Sequence, residues 1–140
     1  MKNTTRFPAQ SLVEFALIIP LLLLLLLGFF DLGRAIINLS ALSNAVREGT
    51  RAGIVMAYDE DAIKDIVLDY AFTTTLTRDN IGVVPTADNF GTLKTLQITA
   101  NYCFVPVTPG VAAIVGNNCT GGDSGIPLTT NSIMRYEPSN

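Results

Sequence analysis

The chain has 140 residues, a net charge of -3, two cysteines and no histidine. That length allows one small domain, and the lack of any basic cluster beyond Lys2 and Arg6 removes the electrostatic footprint of a nucleic-acid binder. Without histidine the commonest general base and the commonest metal ligand are both missing, so neither an enzyme nor a metal or cofactor site is expected.

Apolar residues are concentrated near the N-terminus. Phe15 to Phe30 holds 16 residues without a charge, about 24 Å as a helix. Counting from Ser11 gives 20 residues and about 30 Å, a full hydrocarbon core, but then includes Glu14. A carboxylate inside a span costs ~2.5–3.5 kcal/mol at the centre and less near an edge, so it asks for a partner. A cleaved secretory signal fits poorly, because Asp31-Leu32-Gly33-Arg34 follows the apolar run where a small-x-small site belongs. A plain membrane anchor leaves Glu14 unexplained. Lys2 and Arg6 set the N-terminal end in the cytoplasm by the positive-inside tendency and the C-terminal part outside.

A third reading is a prepilin signal, with residues 1–9 as a leader, Lys2 and Arg6 in it, Ala9 before the cut, and Gln10-Ser11-Leu12-Val13-Glu14-Phe15 after it. This pattern resembles type IV pilins. The whole run SLVEFALIIPLLLLLLLGFFDLGRAIINLSALSNAVREGTRAG, Ser11 to Gly53, resembles the TadE-like family of tight-adherence pilins, with Asn44 to Ala52 as its most specific part. The resemblance implies processing between Ala9, which stands where the family more often has glycine, and Gln10. Glu14 then becomes the fifth mature residue and neutralises the terminal amine of an adjacent subunit. An ammonium and carboxylate paired in a low-dielectric core offset desolvation that neither survives alone. The resemblance further implies a helical homopolymer with other pilins, a prepilin peptidase, and an assembly platform with its ATPase. The protein would lie in the inner membrane before assembly and in an extracellular filament afterwards. The alternative is a monomeric, single-pass anchored binding domain outside the cell.

Helical periodicity continues through Leu32, Ala35, Ile36, Leu39, Leu42, Val46 and Ile54, predicting one helix from about Ser11 to about Met56 within a segment 10–57. Pro20 is expected to kink it or melt a turn, which suits packing around a filament axis or simply bends a membrane helix. Asp31 and Arg34, three apart, form a local ion pair and are candidates for reaching another subunit. Ala41, Ala45, Gly49 and Gly53 make a small-residue row for close approach, by a sheet in preference to a second copy of the helix.

Residues 58–140 form the globular part. Asp59-Glu60-Asp61 caps a second helix from about Glu60 to Phe72. Thr73 to Phe90 reads as loop with one short strand around Ile81 to Val84. From Leu93 to Phe104, Leu96, Ile98, Ala100, Tyr102 and Phe104 alternate with Thr95, Gln97, Thr99 and Asn101, a half-buried strand. Leu128 to Tyr136 is a weaker strand to pair antiparallel with it. Cys103 and Cys119 enclose 15 residues. In an exported domain the default is a disulfide worth about 3 kcal/mol, the alternative two buried thiols. Val105 to Gly116 between them is apolar, broken by Pro and Gly, and is expected either as a short helix covering a sheet edge or as an exposed contact patch. Gly122-Asp123-Ser124-Gly125 copies a serine-protease nucleophile motif, but no histidine exists to take the proton, so Thr120 to Gly125 reads as a Gly-rich turn. The predicted fold is α+β and pilin-like: a long N-terminal transmembrane helix packed on a small antiparallel sheet.

Overall fold

A computed structural model describes residues 9–56, 58–87, 93–111, 114, 119 and 125–136. Helix α1 spans Ala9–Val55, 47 residues, about 70 Å at 1.5 Å per residue. It starts and stops within two residues of the predicted limits. The leader residues before Ala9 lie outside the described residues. Of the kink or melted turn expected at Pro20, no turn melts, and the helical assignment runs through it unbroken. A proline removes only one intrahelical donor, the one aimed at the Ala16 carbonyl, and the leucine-rich turns on either side hold the rest.

Helix α2, Glu60–Tyr70, is capped by the Asp59 side chain, which accepts from the amides of Asp61 (3.1 Å) and Ala62 (3.3 Å). Glu60 and Asp61 in its first turn add favourable charge at that end. A short 3₁₀ helix, Arg78–Asn80, leads into β1 (Ile81–Ala87), followed by β2 (Leu93–Phe104) and β3 (Ile126–Arg135). The sheet is antiparallel in the order β1-β2-β3. β2 has the predicted limits. β1 is longer than expected because Pro85 sits inside it, opposite Leu96. As β1 is an edge strand, the missing amide hydrogen can face away from the ladder. β3 begins two residues earlier than predicted, and the Tyr136 amide extends the pairing by donating to the Lys94 carbonyl at 2.9 Å.

The core lies between α1, α2 and one face of β2. Leu42, Ala45 and Val46 meet Ile63, Val67, Leu96, Ile98 and Ala100, all fully or almost fully buried. Of the β2 residues predicted to face inward, Leu96, Ile98, Ala100 and Phe104 are buried and Tyr102 is half-buried. The small-residue row is what lets three elements meet. A Cβ on Gly53 would fall 2.5 Å from Leu96 Cδ2 and 2.7 Å from Ile63 Cδ1, and one on Gly49 would collide with Val67. The row therefore accepts both the sheet and α2, within the same chain. Thr50 is buried beside it, its hydroxyl donating to the Val46 carbonyl at 2.6 Å.

Candidate functional site

The N-terminal part of α1, up to the end of the apolar run, is left almost bare by the rest of the chain. Gln10 to Phe30 is exposed at every position except half-buried Ile19. Its mean hydropathy reaches 2.7, and among the described residues α1 is the one helix long and apolar enough to cross a membrane. Glu14 lies on this bare rod, one turn from Gln10, whose side-chain amide donates to it at 3.5 Å. Ala9 begins the helix and Pro20 stands midway along the rod. These four residues share the apolar segment, and Gln10, Glu14 and Pro20 are exposed there.

The rod meets the domain at Asp31. This carboxylate is 6% exposed, although it is the first charged residue after the apolar run. Its Oδ1 accepts the Val107 amide at 2.9 Å; its Oδ2 accepts the Thr108 amide at 2.7 Å and the Thr108 hydroxyl at 2.6 Å. Arg34 adds an ion pair at 3.4 Å, as predicted, and lays its guanidinium 5.4 Å from the centre of the Phe104 ring. Burial by itself pushes the Asp31 carboxyl up. The Thr108 hydroxyl, the Val107 and Thr108 amides and the Arg34 charge outweigh it, and the pKa lies below the ordinary value. Asp31 is thus a clasp that ties the segment after β2 to α1 one residue beyond the apolar run. Sequence reasoning found the Asp31 and Arg34 pair but missed Val107, Thr108 and Phe104. The available signal was a lone threonine in an otherwise apolar, Pro-broken stretch, too weak to point across 77 residues.

A pocket of about 200 Å³ opens beside the clasp, its lining including Gly28, Leu32, Pro106 and Val111. Beyond Thr108, Val111 and Ile114 are helical, with the Ile114 amide donating to the Gly110 carbonyl at 3.2 Å. Of the stretch Val105 to Gly116 expected as a short helix, Val105 to Gly110 is not helical, and residues 112, 113, 115 and 116 lie outside the described residues. Cys103 and Cys119 form the disulfide that closes this loop, with their Cα atoms 5.7 Å apart. Gly125, the last residue of the protease-like tetrapeptide, is buried against it. A Cβ there would stand 2.6 Å from Cys103 Sγ and 2.7 Å from the Phe104 carbonyl oxygen. Its glycine serves the packing of the disulfide; Gly122 to Ser124 lie outside the described residues.

No curated protein and no solved structure matches the chain. Residues 9–51 match the family model described as TadE-like protein. The match takes in the bare rod, Glu14, Asp31, Arg34 and the start of the small-residue row, so over this helix the chain is similar to the TadE-like family, a structural, pilus-related one.

Proposed function

We propose that this protein is a structural pilin of a tight-adherence pilus, major or minor, that polymerises through the N-terminal half of α1 for adhesion or secretion. The observation carrying this reading is a 20-residue apolar rod, uncovered by its own domain and bearing one carboxylate, Glu14, within a TadE-like segment. A prepilin peptidase removes residues 1–9, and the subunit waits in the inner membrane with its domain outside. An ATPase-driven platform then extracts it into an extracellular filament of itself and other pilins. Exchange of lipid for neighbouring helices brings little hydrophobic gain, because both are apolar, so close packing and polar pairing must specify the contacts. Glu14 paired with the amine of Gln10 from an adjacent subunit supplies such a pairing.

The test is mass spectrometry of the N-terminal peptide from filaments sheared off the cell surface. A chain beginning at Gln10 in polymeric material supports the pilin. A chain retaining residues 1–9 and found only in membranes replaces it with a monomeric anchored domain.

A further inference from the structure

We infer that the disulfide-closed loop after β2 is a second membrane contact, seated in the lipid interface on the side where α1 emerges. The inference rests on the reading that residues 11–30 span the bilayer, and its partner is the bilayer itself.

The loop's depth is set by the clasp. Val107 and Thr108 are bonded to Asp31, one residue past the apolar run, and Val111 shares a pocket with Gly28, three residues inside that run. The loop thus descends alongside the last turn of the span. Among the described residues of the loop, the large outward side chains are apolar: Val105 is 55% exposed, Val107 58% and Ile114 87%. In water such exposure is unfavourable, whereas at the boundary of headgroups and acyl chains it is favourable. Charge follows the same logic. Between Lys94 and Asp123 the sequence carries no charged residue, so no charge in the loop resists entry into a low-dielectric layer. Asp31 and Arg34, the charges at this depth, are spent on the loop backbone, on each other and on the Phe104 ring. Together the apolar loop and the exit turn of α1 would hold the domain at a fixed tilt on the membrane.

The chain contains no tryptophan, so single substitutions report depth without background. Full-length protein carrying Val107→Trp, Ile114→Trp, Phe29→Trp or Thr86→Trp is placed in phosphatidylcholine and phosphatidylglycerol vesicles containing lipids brominated near the headgroup end of the chain. Phe29 reports the span, and Thr86 lies at the far end of the sheet, paired with Thr95. Expected is quenching of Val107→Trp and Ile114→Trp at about half the level of Phe29→Trp or more, as for groups at the headgroup and acyl boundary, with Thr86→Trp unquenched. If Phe29→Trp is quenched while the loop tryptophans behave like Thr86→Trp, the loop stands clear of lipid and the inference is overturned with the span intact. Unquenched Phe29→Trp overturns the span and the loop contact together. Shielding of the loop tryptophans from an aqueous quencher in filaments, without lipid quenching, assigns the loop to a neighbouring subunit and also overturns the inference.

Discussion

Asp31 accepts the Thr108 hydroxyl at 2.6 Å across 77 residues of sequence, joining the end of the apolar rod to the disulfide-closed loop. The same carboxylate takes the amides of Val107 and Thr108. Asp31→Ala leaves both amides and the hydroxyl without their acceptor in a buried place. A hydrogen bond to a charged group contributes about 1.5–3 kcal/mol, and an orphaned buried donor costs a similar amount. The expected result is a tenfold to hundredfold loss of hydrogen-exchange protection at Thr108, with the β2 amides of Ile98 and Ala100 little changed. Equal losses at all these sites would mean that Asp31 supports the whole domain and not the loop alone.

The clasp has a pH dependence of defined sign. Asp31 is held below its ordinary pKa, so its contribution is complete above the unfolded-state value and is lost as pH falls through the lower folded value. Protection factors at Thr108, which correct for the intrinsic pH dependence of exchange, are expected to stay level at neutral and mildly acidic pH. They should decline only under strong acid. Asp31→Asn removes the titrating group, and its protection factor should be flat throughout.

The residues that were legible from sequence and those that were not differ in the range of their causes. β2 was read to its limits because alternation along Leu96, Ile98, Ala100, Tyr102 and Phe104 is a local signal that burial of one face enforces. The limits of α1 and the disulfide were legible for similar reasons, the first from periodicity and the second from a lone cysteine pair. β1 was cut short at Val84 because Pro85 reads as a stop, and only the strand order shows that it sits on an edge where proline is tolerated. The clasp was hidden. Asp31 looked complete with Arg34 three residues away, while Thr108 lies in a stretch with no periodicity to say which way it points.

Gly53 and Gly33 occupy the same helix, yet the same substitution should act on them with opposite signs. A Cβ at Gly53 meets Leu96 and Ile63 inside contact distance, whereas at Gly33 nothing lies within 4 Å. Gly53→Ala is expected to destabilise by about 1–3 kcal/mol through overpacking. Gly33→Ala is expected to stabilise by about 0.5–1 kcal/mol through helix propensity alone. Thermal unfolding in detergent followed by circular dichroism measures both, and a stable Gly53→Ala protein would show that α2 and β2 can move apart at little cost.

The disulfide closes a loop of 15 residues between Cys103 and Cys119. Replacing both cysteines by serine should cost about 3 kcal/mol in the chain-entropy account. Gly125→Ala should weaken the same place by a separate route, because its Cβ would press on Cys103 Sγ and on the backbone of Phe104. If the disulfide is what makes Gly125 necessary, the penalty of Gly125→Ala falls when the cysteines are already serine. A double-mutant cycle in denaturant resolves this, and strict additivity would separate the two.

Glu14 distinguishes a polymer from an anchor. On the isolated chain it is exposed, and its recorded partner is Gln10 on the same face. In a simple anchor a carboxylate within the span is a burden of ~2.5–3.5 kcal/mol at the centre and less near an edge, so Glu14→Leu should leave membrane insertion intact or improve it. In a filament the same change removes the partner of a terminal amine buried among helices, and an uncompensated buried charge costs about 3–5 kcal/mol. Glu14→Leu is therefore expected to accumulate normally in membranes while its filament yield falls at least a hundredfold, and Glu14→Gln, which keeps the shape without the charge, should fail in the same way. Filaments formed at wild-type yield by both variants would remove Glu14 from assembly and leave the packing of the apolar rod as the sole basis of polymer contacts.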